Sequence, residues 1–306
     1  MTAKPFVKWA GGKRKLLKEI SSLFSDNIKT KKVTYIEPFV GGGSVLFWLL
    51  SCNQKISKII INDINSDLMN VYRVIADQPE ELISVLEIFQ LEYHAFRDNP
   101  EGRKNYYYTK RSSFNLRDQQ QIIHAAIFVF LNRTCFNGLY RVNKKNEFNV
   151  PIGSYKTPLI CDKDNIIAVS KLLKNVIILN GDYYETLKYI DQHENCFFYL
   201  DPPYKPLSKT ANFNKYSNYI FDDSEQQRLK EFCSLLNEKR ISWVLSNSDL
   251  KNENQENCFF DDLYKDYNIN RVNVNRVINN NSKEKNIKEL LITNRLDNKK
   301  SLILQN

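Results

Sequence analysis

The chain of 306 residues lacks several features that mark membrane, secreted and zinc proteins. No apolar run reaches the roughly 20 residues that a transmembrane helix needs, and the N-terminus has no signal-peptide core. The six cysteines are scattered without a C-x-x-C pair, which favours reduced thiols over a structural zinc site. His94, His124 and His193 lack the H-x-E and P-C-x-x-C context of a zinc deaminase. We therefore expect a cytoplasmic protein without a metal.

Positive charge, by contrast, is in excess. The chain has 44 Lys and Arg residues against 35 Asp and Glu, which gives a net charge of +9 and a pI near 9.0. This balance fits a nucleic-acid partner, although many basic proteins bind none.

Apolar, strand-like runs alternate with helical periodicity in two separate parts of the chain. The runs occupy residues 33–36, 58–61, 176–179, 196–200 and 242–245, with a closing pair expected at 268–274 and 289–293. This alternation predicts an open α/β sheet, and in such sheets ligands bind in the crevice at the carboxyl ends of the strands.

Residues 67–163 interrupt the alternation with helical periodicity at 68–75, 80–96 and 122–131, which predicts an inserted helical subdomain. Near its far end, two β-prone runs flank residues 143–146 and suggest a β-hairpin. Such a ribbon can enter a DNA major groove or simply cap the helices, and its sequence alone favours the cap.

Two glycine-rich loops and three acidic positions stand where strands end or helices begin. Residues 37–43 read E-P-F-V-G-G-G, which is not the G-x-G-x-x-G of a pyrophosphate loop, and Glu37 suits an ammonium better than a phosphate. Lys13 follows Gly11 and Gly12, which allows either an anion site or a plain tight turn. Asp63, about 20 residues beyond the longer loop, can bind ribose hydroxyls or cap a helix. Asp182 likewise suits an adenine amine or a helix cap.

The segment Asp201-Pro202-Pro203-Tyr204 follows the apolar strand at 196–200. The Asp201 carboxylate and the Pro202 carbonyl can both accept hydrogen bonds from one amino group, and Tyr204 offers a flat face for stacking. The same tetrapeptide is also ordinary turn chemistry, so its neighbours must decide between the two interpretations.

Taken together, these segments resemble the Dam-type adenine-specific DNA methyltransferases of the D12 class, in the order of the α-group. The resemblance extends from Phe6 to about Asn294. It rests on residues 6–13, 37–43, 62–65, 136–143, 147–151, 201–204 and 210–213. The tetrapeptide alone is shared with ribosomal RNA methyltransferases, whereas the K-W-A-G-G-K segment and the hairpin are more specific.

The resemblance implies a catalytic sheet formed by residues 1–66 and 164–306, which binds S-adenosylmethionine (SAM) in a Rossmann-like fold. Residues 67–163 would form the inserted, mainly helical target-recognition domain with its β-hairpin. The implied activity is methylation of the N6 amine of adenine in double-stranded DNA, commonly within GATC, by base flipping and in-line methyl transfer. S-Adenosylhomocysteine is then the product, and a restriction endonuclease of the same specificity is a possible partner.

Site residues follow from the same resemblance, position by position. The catalytic positions are Asp201, Pro202 and Tyr204. The cofactor positions are Trp9, Lys13, Glu37, Phe39, Gly41, Gly43, Asp63, Asp182, Tyr183 and Asp201. The DNA positions are Lys8, Phe136, Asn137, Leu139, Arg141 and Pro151, joined by Asn212 and Lys215 of a polar loop that is a lid, a phosphate contact or plain surface.

Arg141 is the strongest candidate for a guanine contact, because Arg binds guanine O6 and N7 together. Some members of the family carry Arg where this chain has Ser154, which leaves the flanking-base specificity open. Two alternatives to a DNA methyltransferase are a ribosomal RNA adenine methyltransferase and a non-catalytic regulator that binds SAM and DNA.

Overall fold

The computed structural model describes residues 2–24, 32–52, 56–190, 195–205, 221–276 and 285–294. Within them, seven strands form one sheet. The strands are Val33–Glu37 (β1), Ile56–Ile61 (β2), Val176–Ile178 (β3), Cys196–Leu200 (β4), Ser242–Ser248 (β5), Asn268–Arg276 (β6) and Lys285–Thr293 (β7). The predicted strands, including the closing pair β6 and β7, are confirmed.

The strand order is β3-β2-β1-β4-β5-β7-β6. Strands β1 to β5 run parallel, and β7 lies antiparallel between β5 and β6. The chain moves outward from β1 to β3 and then returns to the other side of β1 as β4. Because the order reverses there, the carboxyl ends of β1 and β4 open a crevice. Glu37 and Asp201 lie at that opening.

The central strands β1 and β4 are buried along their whole length because helices cover both faces of the sheet. Side chains alternate between two hydrophobic clusters. Tyr35 and Phe197 belong to the cluster on one face, and Ile36 and Phe198 belong to the cluster on the other. This alternation explains why both strands are near-continuous apolar runs.

The helices are Leu17–Leu23 (α1), Ser44–Ser51 (α2), Ser66–Asp77 (α3), Pro79–Ala95 (α4), Pro100–Leu116 (α5), Gln121–Thr134 (α6), Lys163–Leu173 (α7), Asp223–Glu238 (α8) and Phe259–Leu263 (α9). The helices predicted at 68–75, 80–96 and 122–131 are confirmed as α3, α4 and α6. Helix α5 was not expected, because most of its side chains are polar. Asn99 caps it by accepting a hydrogen bond from the Gly102 amide at 2.9 Å. None of the helices in the described ranges is long and apolar enough to cross a bilayer.

Helices α3 to α6 share one hydrophobic cluster with a face of the sheet. Leu68, Leu82, Phe114 and Phe128 contribute to it together with Tyr35 of β1. The helical region is therefore packed onto the sheet through a continuous core, and its treatment as a separate recognition domain of residues 67–163 stays a prediction.

The chain reverses at residues 143–147, as predicted, but the two arms pair only through isolated bridges. Val142 pairs with Phe148, and Cys135 pairs with Ile152, both antiparallel. The Asn143 side chain organises the turn, because its Oδ1 accepts hydrogen bonds from the Lys145 and Glu147 amides. We call residues 135–152 the ribbon.

Candidate active site

A cleft of about 950 Å³ opens at the carboxyl ends of the central strands. The loops after β1, β2, β3 and β4 line it, together with the N-terminal segment. It brings together most of the residues predicted from the sequence to bind cofactor or to act in catalysis: Trp9, Lys13, Glu37, Phe39, Gly41, Asp63, Asp182, Tyr183, Asp201, Pro202 and Tyr204. Gly43, the last residue of the glycine loop, packs away from the cleft, and a Cβ atom there would come within 2.6 Å of the Tyr72 hydroxyl.

Asp201 forms an acidic corner directly after β4, next to a buried ammonium group. Lys13 Nζ lies 2.9 Å from Asp201 Oδ1, with 4% of the lysine side chain and 21% of the aspartate side chain exposed. The same ammonium lies 4.4 Å from the centroid of the Tyr204 ring. The corner therefore already holds a hydrogen-bond donor between a carboxylate and an aromatic face.

Strands β5 and β7, which follow β4 in the strand order, hold the two ends of the tetrapeptide at residues 201–204. Ser246 Oγ, on β5, donates to Asp201 Oδ1 at 2.7 Å and lies 3.1 Å from the Tyr199 hydroxyl. Tyr204 Oη donates to Glu289 Oε2 on β7 at 2.7 Å. Ser246 and Glu289 are buried. They fix the carboxylate and the ring plane, and neither was identified from the sequence.

The glycine loop after β1 is held against the loop after β2 by Asp63. The Gly41 amide donates to Asp63 Oδ2 at 3.0 Å, and the Asn65 amide donates to Oδ1 at 2.9 Å. A carboxylate has about four lone-pair sites, so Asp63 retains capacity for ligand hydroxyls. Asn65, not Asp63, caps helix α3, since its Oδ1 accepts from the Leu68 amide.

Asn62, which the sequence analysis did not single out, joins three of the loops that line the cleft. Its Nδ2 donates to the carbonyls of Pro38 and Gly181, each at 3.0 Å. The backbone carbonyl of Asn62 accepts a hydrogen bond from the Val40 amide at 2.9 Å. The buried amide thus sets the spacing between the loops after β1, β2 and β3.

Asp182 caps the helical turn after β3, which is one of the two roles predicted for it. Its Oδ1 accepts from the Tyr184 amide at 2.9 Å, and Arg228 of α8 donates to both carboxylate oxygens at 2.7 and 2.9 Å. Beside it, the Tyr183 and Phe39 rings lie 5.1 Å apart. Together with Ile64, which is 42% exposed, these rings give that end of the cleft an apolar wall.

Three carboxyl groups of the cleft, those of Glu37, Asp63 and Asp201, have a pKa raised above the usual value. Burial raises the pKa of Glu37 well above its usual range, and a hydrogen bond from the Tyr35 hydroxyl at 2.7 Å opposes the rise. Burial also raises the pKa of Asp63 and of Asp201, although Lys13 and the Ser246 hydroxyl pull the pKa of Asp201 down. The cleft favours a positively charged guest, which would stabilise the ionised forms.

Six of the residues predicted to contact DNA lie on the ribbon and on the N-terminal segment beside it. Lys8, Phe136, Asn137 and Pro151 are exposed, whereas Leu139 and Arg141 are partly exposed. Lys8 lies against the ribbon, because a Cβ atom on Gly138 would come within 2.3 Å of the Lys8 side chain.

Some of these side chains have contacts within the chain. The Lys8 ammonium lies 4.3 Å from the Tyr155 ring centroid, and Arg141 Nε donates to Asn149 Oδ1 at 2.7 Å. Asn212 and Lys215 lie outside the described residues. Ser154 is exposed.

Similar proteins span both the sheet and the helical region. The profile of MethyltransfD12, the D12 class N6 adenine-specific DNA methyltransferase family, matches residues 9–278. Type II methyltransferase M.MjaIII of Methanocaldococcus jannaschii is 46% identical over 275 residues, which cover 89% of this chain and 91% of that protein. Type II methyltransferase M1.LlaDCHI of Lactococcus lactis subsp. cremoris is 37% identical over 297 residues, 95% of each chain. The DNA adenine methylase of Haemophilus influenzae is 35% identical over 291 residues, 94% of this chain and 92% of that one.

Proposed function

The chain belongs to the D12 class of N6 adenine-specific DNA methyltransferases, and we propose that it uses SAM to methylate the adenine of GATC in double-stranded DNA. The observation that carries the proposal is the acidic corner. The Asp201 carboxylate and the Tyr204 ring converge there on one amine, that of Lys13, and the Pro202 carbonyl is the next acceptor along the chain.

The chemistry of the cleft fits SAM, which carries a sulfonium, an ammonium, a ribose and an adenine. Glu37, Asp63 and Asp201 supply carboxylates for the positive charges and for the ribose hydroxyls. Phe39 and Tyr183 supply flat apolar surface for the adenine. A cleft of about 950 Å³ is within the range that holds small-molecule cofactors.

When bound, SAM supplies a methyl group activated by the positive charge on sulfur. The protein's own contribution is to orient the target amine, whose lone pair is otherwise delocalised into the purine ring. Asp201 and the Pro202 carbonyl accept its two N–H bonds, which favours a pyramidal nitrogen. Tyr204 stacks on the purine and holds it in place.

The target amine must displace Lys13, because the ammonium occupies the space between Asp201 and the Tyr204 ring. An adenine inside a duplex cannot reach this corner, so the base must leave the stack at a cost of a few kcal/mol. Stacking on Tyr204 offsets part of that cost. The exposed ribbon residues are suited to read the flanking bases, with Arg141 directed to a guanine. A partner endonuclease stays a prediction.

The test is labelled methyl transfer from SAM to duplex oligonucleotides that differ only in whether they contain GATC. We expect transfer to the GATC duplex and none to ribosomal RNA. Asp201→Ala should abolish transfer while duplex binding persists. The matched control is Asp98→Ala, since Asp98 is a surface aspartate paired with Arg97. Transfer retained by Asp201→Ala would refute the catalytic assignment, and transfer to duplexes without the sequence would refute the proposed target.

A further inference from the structure

A junction of three side chains lies between the glycine loop of the cleft and the ribbon. The Tyr140 ring lies 5.5 Å from the Trp9 ring, with an angle of 28° between their planes. The Tyr140 hydroxyl donates to Asp67 Oδ2 at 2.8 Å. Tyr140 and Asp67 are both buried. The junction thus connects the N-terminal segment, the ribbon and helix α3.

On the ribbon side, Tyr140 stands between two residues that face the expected DNA surface. Tyr140 and Val142 are buried, whereas the intervening Arg141 and the preceding Leu139 are partly exposed. Side chains alternate in direction along an extended segment. Leu139 and Arg141 are joined directly to Tyr140 along the chain, so their backbone positions depend on the position of the ring that stacks on Trp9.

On the cleft side, Trp9 lies directly on the glycine loop. A Cβ atom on Gly41 would lie 2.9 Å from Trp9 Cδ1, and one on Gly42 would lie 2.8 Å from Trp9 Cβ. The loop can approach the indole this closely only because it lacks side chains. Two stacked rings therefore connect a loop of the cofactor cleft with the residues expected to read bases.

Asp67 holds the junction through four hydrogen bonds. Besides the Tyr140 hydroxyl, it accepts two from Arg117 Nη1, at 2.7 and 2.9 Å, and its Oδ1 lies 2.9 Å from His124 Nε2. Arg117 Nη2 also donates to the Asn146 carbonyl at 2.7 Å, in the turn of the ribbon. The same carboxylate thus fixes the Tyr140 hydroxyl and, through Arg117, the tip of the ribbon.

We propose that Tyr140 is a positioning residue that couples cofactor binding to DNA recognition, with Asp67 holding its hydroxyl. The inference rests on the proposed function, which assigns the cleft to SAM and the ribbon to DNA. A ligand in the cleft orders the glycine loop and Trp9, and through Tyr140 it orders Leu139 and Arg141. DNA then binds a surface that is already ordered, and the coupling is reciprocal.

The experiment measures the dissociation constant of a GATC duplex with and without saturating S-adenosylhomocysteine, which has no methyl group to transfer. The ratio of the two constants is the coupling factor. For the wild-type chain we expect tighter DNA binding with the ligand, by about 5- to 150-fold. Tyr140→Phe keeps the ring but loses the hydrogen bond, and should reduce the coupling factor by about three- to tenfold. Tyr140→Leu also removes the stacking on Trp9 and should bring the factor close to one.

The matched control is Tyr107→Phe, which deletes another buried tyrosine hydroxyl that bonds to the ribbon. Tyr107 Oη donates to the Val150 carbonyl at 2.9 Å. This variant should lose stability to a similar extent, measured by thermal unfolding, but keep the wild-type coupling factor.

Three results would overturn the inference: a wild-type factor of one, an unchanged factor in both Tyr140 variants, or an equal loss in Tyr107→Phe. A wild-type chain that binds neither S-adenosylhomocysteine nor duplex would instead refute the proposed function. The Tyr140 variants should bind S-adenosylhomocysteine alone within about threefold of the wild-type affinity. That result would show that the substitutions change the coupling and leave the cleft intact.

Discussion

Removing the Ser246 hydroxyl tests whether the acidic corner must be held from β5. Ser246 Oγ, which is buried, donates to Asp201 Oδ1 at 2.7 Å. A hydrogen bond to a charged group contributes about 1.5–3 kcal/mol. If that contribution is present in the transition state, Ser246→Ala should lower kcat by about 10- to 150-fold, since 1.36 kcal/mol corresponds to tenfold. Binding of duplex DNA should change little.

The pH dependence gives a second signature of the same substitution. Burial raises the pKa of Asp201, while Lys13 and the Ser246 hydroxyl lower it. Without the hydroxyl the pKa rises further, so the acidic limb of the kcat profile should move to higher pH. Labelled methyl transfer measured across the pH range on a saturating duplex records both effects.

Ser248→Ala is the control, because it removes a hydroxyl of the same size from the same face of β5. Ser248 Oγ donates to the Lys205 carbonyl at 2.8 Å instead of to Asp201. We expect its kcat to remain within about threefold of wild type. A wild-type kcat and profile in Ser246→Ala would refute the reasoning, as would equal losses in the two variants.

Two further predictions concern the cleft and the ribbon. Because burial raises the pKa of Glu37, the folded chain binds that proton more tightly than the unfolded chain, so stability falls as the pH rises from about 4.3 through the folded pKa. Glu37→Gln should therefore raise the melting temperature at neutral pH but not below about pH 4. The same substitution should weaken SAM binding, measured by calorimetry. A lower melting temperature at neutral pH would contradict the reasoning. Arg141→Ala should reduce discrimination at one base pair by about 1–3 kcal/mol in methylation of single-substitution duplexes, whereas a uniform loss over all sequences would identify a phosphate contact.

The sheet was predictable because its strands follow from local sequence. Strands β1 and β4 are buried on both faces, so each is an apolar run that ends at an acidic residue. Helix α5 was missed for the converse reason. It buries only a few side chains, such as Tyr107 and Phe114, and these are too sparse to produce a clear helical period.

The positions in the cleft were predictable in part, because a strand end or a glycine loop marks them in the sequence. Asp63 and Asp182 each allowed a ligand role or a capping role, and the structure bears on the capping role. Asp182 is a cap as well as a cleft residue, whereas the cap of α3 is Asn65 and Asp63 joins two loops instead. Spacing alone could not separate these roles, since caps and ligand contacts both favour acidic side chains after a strand.

The residues that hold the acidic corner could not be predicted, because their partners are distant in the chain. Ser246 lies 45 residues from Asp201, and Glu289 lies 85 residues from Tyr204. The sequence does carry one signal, which is that these polar residues stand in strand-like segments. The structure shows that Ser246 and Asn247 are fully buried in β5 and that Glu289 is buried in β7. Polar side chains inside an apolar strand need partners, so they mark the side of the sheet that faces a site. The sequence thus indicates groups that line the cleft, whereas the strand order β4-β5-β7 determines which residues orient them.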